Sequence, residues 1–310
     1  MIDGVVGVVG VDGGVVGANG GAGADGGVDG SVRLRSEGVD ALILPGQGCR
    51  LGSLRAHGLE LLRTSAPAAT DWGSYPMVPW AGRMGGARLS HGRREHVFPA
   101  DAAPHAIHGL GYRAAWRQIA GDAESASFEL LLADPWPFAG RVEQTFTVLR
   151  DGLVTELRIE STQAGPSAAT GWPAQAGWHP WFRRELGVGG PLELSFAAAW
   201  QEERGADHLP TGRRMSPPTT AVGFRDDCFG TPGGLDATLT WPGALRMRMT
   251  SDCDYTVVYD MPRDHVCVEP QTGPPNGLAT LPRLVEPGRP LSATTAWTWV
   301  AAPGGPPAAS

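Results

Sequence analysis

Apolar and polar residues alternate with a period of two along much of the chain. Leu153, Thr155, Leu157 and Ile159 fall on one side of a stretch; Val154, Glu156, Arg158 and Glu160 fall on the other. Successive side chains of a strand point to opposite faces, so this pattern predicts a half-buried strand. Just before it, Val142, Phe146 and Val148 share a face, and Asp151-Gly152 predicts a tight turn between the two. Leu245, Met247 and Met249 alternate with Arg246 and Arg248. Residues 255–259 are β-branched and aromatic, as are residues 294–300, where Trp297 and Trp299 share a face.

Long amphipathic helices are absent from the pattern, because proline (27) and glycine (45) interrupt nearly every run. Many short strands with frequent turn signals predict an all-β fold, a large sandwich or barrel. One domain over about residues 32–301 is the simplest division. Residues 1–30, mostly Gly, Val, Ala and Asp, are expected to form a flexible leader without chemistry. They contain no Lys or Arg, so they lack the basic n-region of a signal peptide. Their glycines break each apolar run short of the roughly 18 residues of a membrane helix. The Pro/Gly/Ala stretch 302–310 is expected to be a disordered tail.

Composition narrows the chemistry. The net charge of −7 argues against nucleic acid as a partner, since neutralising phosphates needs a basic face. All 25 basic residues are arginine. Without lysine there is no Schiff base, no pyridoxal phosphate anchor and no Walker-type phosphate loop. Cys49, Cys228, Cys253 and Cys267 form no C-x-x-C pair and lie far apart, which suits free thiols in a cytoplasmic protein.

Four segments carry unusual polar residues, expected in loops between the strands. Residues 75–84, Tyr-Pro-Met-Val-Pro-Trp-Ala-Gly-Arg-Met, fix the backbone around Arg83, which is either a ligand arginine or a surface one. In residues 105–110, His-Ala-Ile-His-Gly-Leu, His105 and His108 lack a carboxylate or thiol at metal-ligand spacing. His108 followed by Gly109 better suits hydrogen bonding to a small molecule that the backbone can approach. In residues 177–182, Gly-Trp-His-Pro-Trp-Phe, aromatics bracket His179, either as a platform for a sugar ring or as a core packing cluster. In residues 266–276, Val-Cys-Val-Glu-Pro-Gln-Thr-Gly-Pro-Pro-Asn, an apolar strand is expected to end at Glu269, as a general base or as a turn cap.

Taken in this order, these motifs, with Arg-Asp-Asp-Cys-Phe at residues 225–229, resemble the aldose 1-epimerase (galactose mutarotase) family over about residues 32–300. The resemblance implies a galactose mutarotase-like β-supersandwich. It implies a soluble isomerase that exchanges the anomers of a free aldohexose by acid–base ring opening, with no cofactor and no metal. Its partner would be a sugar, not nucleic acid or a membrane, and the chain would be a monomer or homodimer. Residue by residue, it implies that His108 hydrogen-bonds the sugar, His179 is the general acid toward the ring oxygen and Glu269 the general base. Arg83 and Asp226 would bind sugar hydroxyls, with Asp227 adjoining Asp226. Many relatives carry Asn where Gly82 stands and Tyr where Trp181 stands. Two alternatives keep the fold. A hexose-6-phosphate epimerase would need an arginine cluster, for which Arg93, Arg94, Arg183 and Arg184 are the candidates. A non-catalytic carbohydrate binder would have no use for the acid–base pair. A glycoside hydrolase would need two carboxylates facing one bond, and only Asp226 and Glu269 could be offered.

Overall fold

The computed structural model describes residues 25–26, 30–164, 171–217 and 224–302. Most of the expected leader, and residues 303–310 of the expected tail, lie outside them. Two large antiparallel sheets enclose one core. The first sheet has twelve strands. Its path runs from Asp25–Gly26 through Val32–Ser36, Val39–Leu44, Arg50–Ala56, Ser74–Met77, Gly177–Arg183, His265–Gln271, Tyr255–Tyr259, Asp226–Gly230 and Trp200–Arg204 to Pro210–Met215, with Leu59–Glu60 beside Arg50–Ala56. The second has eight strands, ordered Arg117–Gly121, Ser125–Leu132, Gly140–Leu149, Gly152–Ser161, Leu291–Ala301, Leu245–Ser251, Leu235–Trp241 and Glu193–Phe196. A single four-residue helical turn, Gly277–Thr280, is the one α-helix among the described residues. No helix among them is long and apolar enough to cross a membrane.

The second sheet follows the alternation. Val142, Phe146, Val148, Leu153, Leu157 and Ile159 are buried, as are Leu245, Met247, Met249, Trp297 and Trp299, while Arg246 and Arg248 point to water. The turn differs by one residue. Leu149 pairs with Gly152, so Arg150 and Asp151 form the turn and Gly152 opens the next strand. Glycine is needed there for packing: a Cβ would meet the Trp297 carbonyl oxygen at 2.7 Å.

The centre of the first sheet departs from alternation. Residues of His265–Gln271 are buried on both faces, as are six of the seven in Gly177–Arg183. One face meets the main core; the other carries a smaller cluster of Tyr75, Met77, Ala81, Tyr112, Trp181 and Cys267. That second face places the polar residues of the motifs.

Candidate active site

His179 and Glu269 lie on strands, not in loops as the proline-rich motifs suggested. Gly177 pairs with Gln271 and Trp181 with Cys267, so the same register sets His179 opposite Glu269. Proline lacks the N–H a ladder needs, which is why residues 269–270 resembled a strand end and residues 179–180 a loop. The strand nevertheless continues past Glu269 to Gln271. Tyr75–Pro76 on one side and Val257–Val258 on the other hold these segments in the sheet.

The consequence is a buried histidine–carboxylate pair, with His179 Nε2 3.2 Å from Glu269 Oε1. Trp181 stacks on the imidazole at 5.4 Å between ring centroids and Tyr75 at 5.0 Å. His108 meets it edge-on at 4.9 Å. Burial pushes the Glu269 carboxyl well above the usual carboxylate range; Asp226 adds to this and Arg83 opposes it. Burial likewise lowers the His179 imidazole. His108 is lowered by burial first, then by His179, Arg83 and Arg113. Desolvation thus favours the neutral form of each group, while proximity favours the ion pair of His179 and Glu269.

His108 sits in a loop with φ of 59°. Its N–H donates to the Gly82 carbonyl at 3.0 Å. Gly109 comes close to the protein's own backbone rather than to a ligand, correcting the expectation for it: a Cβ would lie 2.0 Å from the Val78 oxygen. His105 is structural. Its Nδ1 accepts from the Gly86 N–H at 3.1 Å and its Nε2 meets the Asp207 carbonyl at 2.8 Å. The chain after Glu269 folds back to fix Arg83: the Asn276 N–H donates to the Arg83 carbonyl, and Asn276 Oδ1 accepts from Gly85. Gly82, at φ of 66°, packs against Pro275. Asn tolerates that left-handed conformation, so the change from Asn preserves the backbone.

Arg83, His108, His179, Asp226 and Glu269 all line one cavity of about 840 Å³. Asp227 lines it too, its carboxyl raised by burial. Asp226 is ion-paired with Arg204. The sequence motifs did not include Arg204, Glu202, His208, Arg63 or Tyr259, which also line the cavity. Arg204 and His208 flank the hairpin between Trp200–Arg204 and Pro210–Met215, and only tertiary folding brings that hairpin over the site. Arg93, Arg94, Arg183 and Arg184 do not line it. Arg184 is spent on the carbonyls of Asp260 and Pro262.

An aromatic-walled cavity holding a histidine–carboxylate pair, a second histidine and an arginine is suited to proton transfer on a polyhydroxylated ligand. The aldose 1-epimerase family profile matches residues 31–296, and the chain belongs to that family. A local match of 28% identity over 116 residues links it to the uncharacterized protein YphB of Escherichia coli K12, covering 37% of this chain and 38% of that protein's length. The fold is similar to that of a galactose mutarotase-like protein from Clostridium acetobutylicum: TM-score 0.75, 16% identity, 88% of this chain and 95% of that one. It is also similar to galactose 1-epimerase from Lactobacillus acidophilus NCFM: TM-score 0.68, 18% identity, 88% and 95%.

Proposed function

We propose that the protein is an aldose 1-epimerase acting on a free aldohexose. The observation that carries this reading is the His179–Glu269 pair, 3.2 Å apart and opening onto the cavity that His108 and Arg83 share. Exchange of anomers begins when a base removes the C1 hydroxyl proton and an acid protonates the ring oxygen. The bond between C1 and that oxygen breaks, giving an aldehyde. Rotation about C1–C2 and closure on the other face follow, with acid and base reversed. Glu269 is the base and His179 the acid in the opening step. The pair needs one transferable proton, and either arrangement of it, imidazolium–carboxylate or imidazole–carboxylic acid, has the same net charge. A C1 hydroxyl donating to Glu269 and a ring oxygen accepting from His179 would select the first arrangement. Arg83 supports it by favouring ionised Glu269. His108, held neutral, hydrogen-bonds the sugar; Arg83 and Asp226 bind its hydroxyls.

A free sugar is favoured over a hexose phosphate because Arg93, Arg94, Arg183 and Arg184 lie away from the cavity and, of the four arginines that do line it, Arg113 is paired with Asp101 and Arg204 with Asp226. Polarimetry with freshly dissolved α-glucose, α-galactose and further aldoses tests the reading. Acceleration of mutarotation with at least one is expected; no acceleration with any would end it.

A further inference from the structure

Cys267 lies close to the acid–base pair, and ring opening has no use for its thiol. It stands two residues before Glu269, on the same face of His265–Gln271, opposite Trp181. It is fully buried, and burial raises its thiol well above the ordinary range, with Glu269 adding to the shift. The ligand atoms of His179, Cys267 and Glu269 all lie within 4.8 Å of one another. Ligands of one tetrahedral zinc stand roughly 3.3–3.7 Å apart, given bonds of about 2.0–2.3 Å to N, O and S. Side-chain rotations would have to close the difference. His179 Nδ1 has no hydrogen-bond partner in the structure, so rotating the ring breaks no bond there; the stacked rings of Tyr75 and Trp181 are what it moves against.

We propose that His179, Cys267 and Glu269 form a binding site for zinc and related soft divalent cations, and that its occupation switches the acid–base pair off. The donor set is imidazole, thiolate and carboxylate, a combination that suits zinc rather than magnesium or calcium. Binding displaces two protons, one from the Cys267 thiol and the one shared by His179 and Glu269. A divalent cation with one thiolate and one carboxylate then sums to zero charge, which suits a buried site. His179 and Glu269 front the cavity, so the fourth position faces the space a sugar would fill. A bound cation occupies the base and the acid together, and neither can then move a proton. The metal is an inhibitor here, not a cofactor.

The site itself is tested without reference to turnover; only its inhibitory effect rests on the epimerase reading. Titration of the whole protein with cadmium should give one equivalent bound and a cadmium–thiolate charge-transfer band in the ultraviolet. Cys267→Ser and Cys267→Ala, two variants in case one folds poorly, should lack the band. Zinc should inhibit mutarotation competitively with sugar, and EDTA should reverse it. Losing an outer-shell partner already costs about 10–100-fold in metal affinity, so losing the direct thiolate ligand should raise the half-inhibiting zinc concentration at least about tenfold. Both variants should keep metal-free turnover. A cadmium band that persists in both variants, or zinc inhibition unchanged in them, overturns the proposal. A normal band in a protein that accelerates no mutarotation leaves the metal site standing and removes the epimerase reading; normal mutarotation without the band does the reverse.

Discussion

The two sheets treat ionisable residues in opposite ways. In the second sheet charged residues stay on the outer face, as with Arg248–Asp236 and Arg141–Glu160, and the polar side chains it buries, Gln144, Thr155 and Thr295, are all neutral. In the centre of the first sheet His179, Glu269, Gln271 and Thr256 are all buried. Several polar atoms there, including His179 Nδ1 and both side-chain polar atoms of Gln271, have no hydrogen-bond partner in the structure. Unsatisfied buried groups cost stability, about 1–3 kcal/mol each when water does not reach them. Both sheets carry such groups, since Gln144 Oε1 and Thr155 Oγ1 of the second also lack a partner; what separates the first is that it buries ionisable groups where chemistry is proposed.

The sharpest way to break that contrast is to remove the acid–base groups. Glu269→Gln keeps shape and hydrogen-bonding capacity but removes the basic carboxylate; His179→Asn removes the proton donor. Each should lower kcat about 100- to 10,000-fold with the fold intact. The double variant should lose less than the product of the two losses, because the residues act as a unit. If Glu269 and His179 only packed within the sheet, both variants would melt early and turn over normally. Measuring kcat and Tm on the same preparations separates the cases.

That test also marks where sequence legibility ended. Leu153 to Ile159 and Leu245 to Met249 stood out because one face meets the core and the other meets water, giving a clean period of two. His265–Gln271 is buried on both faces, so it has no alternation, and Pro270 suggested an end that does not occur. The five site residues were legible from their motifs and do converge on one cavity. The placement of His179 and Glu269 on strands was not, because only the flanking strands show that a proline segment is still in register. Arg204 and His208 carried no local signal; their proximity to the pair is a product of strand order.

A core truncation in the second sheet should do the converse of the site variants. Met247 is fully buried, and its Cα partners are Leu239 and Trp299. Met247→Ala should cost about 2–5 kcal/mol by lost burial and a residual cavity. Turnover per folded molecule should stay normal. Denaturant unfolding gives the first quantity and active-fraction-corrected kcat the second; a fall in kcat of the size seen for Glu269→Gln would mean that the sheets are not separable in this way.

The dependence of stability on pH sharpens the comparison further. The folded Glu269 carboxyl is raised by burial, so the folded state holds a proton that the unfolded chain releases above about pH 4.3. The stability tied to that proton is complete below the unfolded value and is lost as pH rises toward the folded one. Glu269→Gln cannot show this loss, so its Tm should overtake that of the wild type as pH rises from about 4 to 8. His179 is lowered, so the wild type loses stability as pH falls below about 6.5, and His179→Asn should flatten that limb. Parallel Tm–pH curves for wild type and variants would contradict the buried, neutral-leaning pair. In turnover, the low shifted imidazole and the high shifted carboxyl predict a broad bell for kcat/KM. Its acid limb should fall below the ordinary imidazole value, and its apparent pKa values belong to the pair jointly.

The smallest effect is expected where charge is most visible. Asp236 and Arg248 lie diagonally across neighbouring strands and are joined by two hydrogen bonds of 2.9 and 2.8 Å. The geometry is bidentate, and the carboxyl of Asp236 is lowered chiefly by its hydrogen bond to Arg248. Both side chains are about three-fifths exposed, so water and salt screen the attraction, and holding two side chains in one geometry costs entropy. The shift describes a local preference for the charged form and does not translate into comparable fold stability. Asp236→Asn should leave Tm at neutral pH nearly unchanged, and any small loss should vanish in high salt. Turnover should be unaffected, since neither residue lines the cavity. The same isosteric change, carboxylate to amide, is thus predicted to abolish function and raise stability at Glu269, and to do almost nothing at Asp236. A salt-insensitive drop in Tm for Asp236→Asn would show that the outer face of the second sheet contributes more than solvent-screened pairing, and that its tolerance of charge is not passive.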